Sequence, residues 1–113
     1  RIFPLADFIQ PSDDVPIRSV VVETTNAVIV VWHVRSGQEI AAHVHPQGQD
    51  TWTVISGCAD YQLGNGNISR LKAHDIVVAR SNQVHGALNV GQDDFVFVSV
   101  VAPGNAGYQL AEK

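Results

Sequence analysis

Residues 37–57, GQEIAAHVHPQGQDTWTVISG, carry the strongest structural signal in the chain. They hold two runs rich in strand-forming residues, separated by a turn that contains proline and glycine. Because side chains alternate between the two faces of a strand, His43 and His45 should lie on one face and Val44 on the other. Two neutral imidazoles on one face are half of a metal site.

Asp50 and His85 are the residues that could complete such a site. Asp50 follows His45 by five residues, across a turn that lets the second strand bring a carboxylate back beside the imidazoles. His85 lies forty residues beyond His45 in a later β-rich run, and a closed barrel can bring such a strand across its interior. A His-x-His step alone also occurs on ordinary protein surfaces, so the hypothesis of a metal site depends on these two residues.

The rest of the chain is a succession of short runs with strand-like composition. Asn65-Gly66 between two such runs is a strong hairpin signal, and no segment of ten residues has a clear helical period. Short strands at near-regular spacing predict an all-β sandwich or barrel. The predicted strands lie at residues 20–22, 27–34, 38–45, 51–55, 58–63, 68–71, 76–79, 84–90 and 95–101, followed by a loop at 103–107.

Composition excludes several classes of protein. The 113 residues fit one domain, and 45% apolar with 16% charged residues is not the composition of a disordered chain. A net charge of −4 without any basic run argues against nucleic acid or an anionic membrane as a partner. Cys58 is the only cysteine, so no intramolecular disulfide can form, and we expect a reducing, cytoplasmic location.

The first sixteen residues differ from the remainder. They contain Pro4, Pro11 and Pro16, which prevent a long helix and favour an extended arm. We therefore divide the chain into an arm at residues 1–16 and a β-barrel domain at residues 17–113. Since the arm is apolar and the chain carries little charge, we predict a homodimer in which the arm or an outer sheet face packs on the partner.

The spacing in residues 37–57 resembles the first motif of the cupin family. That motif is a glycine, five residues, His-x-His, three or four residues, an acid, six residues and a glycine. Every anchor from Gly37 to Gly57 matches, with Asp50 in place of the usual glutamate. Gln49 fits the shorter spacing, but an amide is a poor ligand and this side chain should face away by alternation.

The second cupin motif is matched only in part. It is a glycine, five residues, a proline, one residue, a glycine, two residues, a histidine, three residues and an asparagine. Asn82 can adopt the left-handed conformation of a turn glycine, whereas His74 and Arg80 depart from the motif. The residues at these five places are His74, Arg80, Asn82, His85 and Asn89.

The resemblance covers residues 28–101 and implies a small jelly-roll barrel with an enclosed metal site. By this likeness His43, His45, Asp50 and His85 bind one divalent transition metal ion, and iron, manganese, nickel, copper, cobalt and zinc all suit this donor set. In some cupins the same positions bind no metal and are polar pocket residues instead. His33 falls outside the ligand pattern, as does His74.

The resemblance also implies a metal-dependent enzyme of small-molecule metabolism, with dioxygenase-like oxidation first and isomerase or lyase chemistry second. Glu39 and Tyr61 are the candidate acid–base residues. The alternatives are a non-catalytic module that binds a sugar or organic acid and, third, a storage role. Side chains expected to shape the pocket by alternation are Ala41, Trp52, Val54, Ala87 and Asn89.

Overall fold

The computed structural model describes residues 1–113 and is built almost entirely from β-strands. This confirms the prediction of an all-β fold, although a tenth strand of two residues was too short to have a periodic pattern. The strands are β1 (Arg18–Glu23), β2 (Val28–Val34), β3 (Glu39–Val44), β4 (Gln49–Ser56), β5 (Cys58–Gly64), β6 (Asn67–Lys72), β7 (Ile76–Ala79), β8 (His85–Leu88), β9 (Phe95–Ala102) and β10 (Gln109–Leu110).

Two antiparallel sheets of five strands form the barrel. One has the order β1-β2-β9-β4-β7 and the other the order β10-β3-β8-β5-β6. Both contribute side chains to a single hydrophobic core, in which the Trp52 and Phe97 rings stack with centroids 4.1 Å apart. The core residues are Val34, Ile40, Trp52, Val54, Ala59, Tyr61, Leu71, Ala87, Phe95 and Phe97.

Two turns show how the second motif accommodates the replacement of its two glycines. His74 and Asn82 occupy the places of the two motif glycines, and both have positive φ, 76° and 63°. The His74 amide donates a hydrogen bond to the Val54 carbonyl at 2.8 Å, which fixes the turn before β7. The prediction for Asn82 is confirmed, and His74 keeps the glycine's backbone conformation while its side chain stays exposed.

The segment before β1 is less extended than predicted, because a 3₁₀ helix spans Leu5–Phe8. Pro4 precedes it with φ at −61°, an angle that suits the start of a helical turn. Further along, the Gln38 side-chain amide donates to the Ser12 carbonyl at 2.7 Å, which ties this segment to the turn between β2 and β3. The boundary between residues 16 and 17 stays a prediction.

No helix in the structure has the length and apolar character needed to cross a membrane.

Candidate metal centre

Four side chains far apart in sequence meet inside the barrel. His43 lies on β3, His45 directly follows it, Asp50 lies on β4 and His85 begins β8. One possible ligand atom from each lies within 4.8 Å of the others, and all four residues are buried. The four residues named by the motif are therefore the four that the fold brings together, and we call them the His/Asp cluster.

The register of β3 and β8 places the histidines opposite each other. His43 pairs with His85 across the two strands, and a bulge in β3 inserts one extra residue between Ile40 and His43. A bulge bends its strand and redirects the side chains beyond it. Gly86, the residue after His85 on β8, has no room for a side chain. A Cβ atom there would lie only 2.8 Å from the Ile40 carbonyl oxygen, so the close approach of β3 and β8 requires a glycine.

The three imidazoles share one hydrogen-bonding pattern. In each ring Nδ1 lies within hydrogen-bonding distance of a backbone carbonyl, and a carbonyl can only accept, so Nδ1 carries the proton. The neutral ring then directs the lone pair of Nε2 away from the backbone. The pairs are His43 with Ala41 at 2.7 Å, His45 with Gly107 at 2.7 Å and His85 with Gln83 at 3.0 Å.

The Asp50 carboxylate is the point on which two of these rings, those of His45 and His85, converge. Its Oδ2 lies 3.3 Å from His45 Nε2 and 3.1 Å from His85 Nε2. Ser99 Oγ donates to the other oxygen, Oδ1, at 2.5 Å. Without a metal ion, an Nε2–H bond to Asp50 requires a second proton on a ring whose Nδ1 is already protonated. A divalent cation satisfies the carboxylate and the lone pairs together, so this donor set fits a metal ion.

The enclosed charges shift the pKa values of the cluster in different directions. Burial lowers the pKa of His43 to about 4, and the neighbouring His85 adds to the effect. Burial also opposes ionisation of His45, but hydrogen bonds to Asp50 and to the Gly107 carbonyl outweigh it and raise the pKa of His45. The pKa of Asp50 is lowered, since hydrogen bonds from His45, His85 and Ser99 outweigh the cost of burial.

A cavity of about 620 Å³ opens beside the cluster. Its apolar wall includes Trp32 and Trp52, its ionic groups outside the cluster are Arg18, Glu23 and Glu39, and the cluster members that line it are His43, His45 and Asp50. The rest of its lining is Val15, Pro16, Val28, Val30, Ile40, Ala41, Ser99, Val101, Gly104, Ala106, Gly107 and Tyr108.

Of the side chains expected to shape the pocket, Ala41 and Trp52 do so, whereas Val54, Ala87 and Asn89 lie outside the cavity wall. Ala41 and Trp52 line the cavity, and Val54 points into the core. Ala87 also belongs to the core rather than to the cavity wall. Asn89 follows the last residue of β8, at the end of the strand away from His85. Its side chain donates to the Val34 carbonyl at 2.9 Å and so fixes the end of β8 instead of lining the cavity.

Neither candidate acid–base residue is free to act. Glu39 borders the cavity, but it accepts hydrogen bonds from Lys113 Nζ at 2.6 Å and Gln62 Nε2 at 3.0 Å. The Lys113 hydrogen bond is the main reason why the pKa of Glu39 is lowered. Tyr61 is buried against Trp52, where burial raises its pKa, and it lies outside the cavity beside the cluster.

The other two histidines lie outside the cluster, as the sequence predicts. His33 Nε2 lies 2.9 Å from Asp94 Oδ2, and His74 is exposed in its turn. Three contributors to the site were missed: Ser99, Gly107 and Tyr108. The sequence does contain a signal for Ser99. It is a polar residue in the apolar run of β9, two residues after Phe97 and therefore on the same inward face of the strand. The other two follow β9 in a loop that has no motif.

Residues 30–101 match the family model described as the cupin domain. This chain belongs to the cupin family. The cupin also resembles an uncharacterized conserved protein with a double-stranded β-helix domain from Klebsiella pneumoniae, with 63% identity and a TM-score of 0.97. That match covers 100% of this chain and 98% of the other.

Two more distant solved structures share the fold. An RmlC-like cupin protein from Desulfovibrio desulfuricans is 24% identical, with a TM-score of 0.74 over 81% of this chain and 86% of that one. KdgF from Halomonas sp. is 23% identical, with a TM-score of 0.72 over 83% of this chain and 84% of that one. No curated protein matches this cupin in sequence.

Proposed function

We propose that this cupin binds one divalent transition metal ion through His43, His45, Asp50 and His85. The observation that carries the proposal is the shared orientation of the three imidazoles. Each Nδ1 is committed to a backbone carbonyl, and the Nε2 atoms of two rings lie within 3.3 Å of one buried carboxylate. Protein-bound metal ions are commonly held by histidines oriented in this way.

A metal ion held there would supply a Lewis acid or, if redox-active, a redox centre to which a small molecule could bind. The chain's own residues do the rest. The backbone carbonyls and Ser99 orient the ligands, and the tryptophans of the cavity wall keep water away from one side of the site. The cavity gives a small organic substrate direct access to the cluster.

We further propose that the protein is a metal-dependent enzyme of small-molecule metabolism. Dioxygenase-like oxidation is the leading reaction, because the cluster borders a substrate-sized cavity and a metal ion with four protein ligands would still be able to bind a small molecule. Isomerase or lyase chemistry is second, since it needs an additional acid or base, while Glu39 is paired with Lys113 and Tyr61 lies outside the cavity.

Oxygen uptake tests this reaction class. Protein loaded separately with Fe²⁺, Mn²⁺, Ni²⁺, Cu²⁺, Co²⁺ or Zn²⁺ is incubated with a panel of small organic acids, phenols and sugars. Consumption of dioxygen together with a substrate, lost in His85→Ala and kept in His74→Ala, supports the oxidation. Substrate turnover without oxygen uptake contradicts it and favours an isomerase or lyase.

One observation favours a second function, a module that binds a small ligand without converting it. The cavity beside the cluster has no unengaged acid or base at the two positions that sequence analysis suggested. If the protein is such a module, calorimetry should show that a sugar or organic acid from the panel binds the metal-loaded protein. The ligand should be recovered unchanged, and His85→Ala should abolish its binding.

A further inference from the structure

The C-terminal end of the chain closes over the His/Asp cluster. Residues 106–110, which we call the C-terminal strap, cross the turn between β3 and β4 and end in β10. The Gln47 amide donates to the Ala106 carbonyl at 2.8 Å, and Ala106 itself is buried. The strap then pairs with β3, where Leu110 lies opposite His43. It is therefore attached to both elements that carry the first two histidines.

Gly107 touches the cluster through its backbone. Its carbonyl oxygen accepts the hydrogen bond from His45 Nδ1 at 2.7 Å. Gly107 has φ at +81°, a region that residues with a Cβ rarely adopt, and a Cβ there would lie 3.3 Å from Pro46 Cδ. The direction of this carbonyl, and with it the direction of the His45 ring, thus depends on a glycine at this place.

Tyr108 touches the cluster through its ring. The centroids of Tyr108 and His43 are 5.0 Å apart and the rings are tilted by 32°. On its other side His43 faces His85, with centroids 4.1 Å apart. His43 is therefore enclosed between two rings and is only 6% exposed, whereas Tyr108 itself is 59% exposed at the cavity.

We propose that the C-terminal strap positions two of the metal ligands, Gly107 acting on His45 and Tyr108 on His43. The proposal rests on the proposed metal site. His43 and His45 lie at the end of a strand, and without the strap their rings would border solvent and could turn outward. The carbonyl fixes the tautomer that leaves Nε2 for the metal, and the phenol ring blocks outward rotation of its neighbour. Gly107 and Tyr108 are thus positioning residues that lie outside both family motifs.

Metal affinity in matched variants tests the strap. Gly107→Ala should weaken the binding of Co²⁺ by about 10- to 100-fold, and Tyr108→Ala by about tenfold, the usual effect of losing a partner that orients a ligand. Tyr108→Phe keeps the ring and should bind like the wild type. Gly66→Ala is the control for the backbone, since Gly66 also has positive φ, +76°, and nothing lies within 4 Å of an added Cβ. Ile68→Ala is the control for the side chain, because Ile68 is 60% exposed, much like Tyr108, and lies on β6, at the opposite edge of the sheet from the strap.

The visible absorption spectrum of the Co²⁺-loaded protein is the second readout, since it responds to ligand geometry and not to global stability. We expect Gly107→Ala and Tyr108→Ala to change the spectrum and the two controls to keep it. Affinities and spectra like those of the wild type in both variants overturn the role of the strap, while the metal site stands. A wild-type protein that binds no Co²⁺ overturns both. If Gly107→Ala does not fold, Tyr108→Ala measured against Tyr108→Phe decides.

Discussion

Asp50 stands where the family motif usually has a glutamate, and a hydrogen bond from β9 orients its shorter side chain. Asp50 lies on β4 directly opposite Val101 of β9, and Ser99 is two residues before Val101 on that strand. The Ser99 hydroxyl holds Oδ1, which turns Oδ2 toward His45 and His85. The sequence could predict Asp50 from spacing alone, but the hydrogen bond that orients it comes from a strand almost fifty residues away, which spacing does not reveal.

Removing the Asp50 carboxylate should weaken metal binding less than removing a histidine. A water molecule can occupy the vacated place in Asp50→Ala, so titration calorimetry should still detect binding. Asp50→Glu restores the acid of the family and should retain binding, because Asp50 borders the cavity and the added methylene has room. Ser99→Ala should lower affinity by about tenfold through loss of the orienting hydrogen bond. Undetectable binding in Asp50→Ala beside intact binding in His43→Ala would reverse this ranking.

Metal binding should weaken as the pH falls. Only a neutral imidazole ligates, and the pKa of His45 is raised, so protons compete with the metal for this ring as the pH drops below neutrality. His43, with a pKa of about 4, resists protonation over that range. We expect metal content after dialysis to decline below about pH 6, near the ordinary histidine pKa. A folded protein that retains all its metal at roughly pH 4 would contradict a three-histidine site.

At the scale of elements, alternation along β4 connects the core with the site. Asp50, Trp52 and Val54 face inward, and the first belongs to the cluster while the other two belong to the core. This arrangement could be predicted because a strand has a period of two residues. The bulge in β3 could not be predicted, since it depends on the pairing with β8. The short β10 could not be predicted either, since two residues are too few to have a period.

Trp52 should therefore contribute strongly to stability. It is 1% exposed and stacks on Phe97, so Trp52→Ala should lower the free energy of unfolding by about 3–5 kcal/mol. Trp32, which is only partly buried in the cavity wall, is the matched control, and Trp32→Ala should cost less, because part of its side chain is already exposed in the folded state. Urea denaturation of the metal-free proteins measures both. A larger loss for Trp32→Ala than for Trp52→Ala would show that the core is wrongly assigned.

At the scale of the whole molecule, two sheets enclose one core and one site. The sequence indicates strands by composition, whereas the pairing of β4 with β9 and of β3 with β8 joins residues at least forty positions apart. No local pattern gives such pairings, and the family resemblance was needed to expect them. The 3₁₀ helix at Leu5–Phe8 was missed because four residues are too few to have a period.

The surface leaves apolar side chains without cover, and a homodimer stays our prediction. Ile2 and Ile76 are 89% and 69% exposed, and Phe3 and Val78 are also exposed. Burial of such side chains against a second copy is favourable. Multi-angle light scattering should give twice the mass of the chain, and an Ile76→Asp or Ile2→Asp variant should shift the mass toward the monomer. A monomer at high protein concentration would refute the prediction.

Metal content per chain tests the central claim most directly. Wild-type protein purified without a histidine tag and saturated with one divalent metal should hold one ion per chain by elemental analysis. His43→Ala, His45→Ala and His85→Ala should each hold none, because an incomplete set of donors remains. The controls His33→Ala and His74→Ala should match the wild type, with circular dichroism showing that all variants fold. Full metal content in His85→Ala together with loss in His74→Ala would contradict the site.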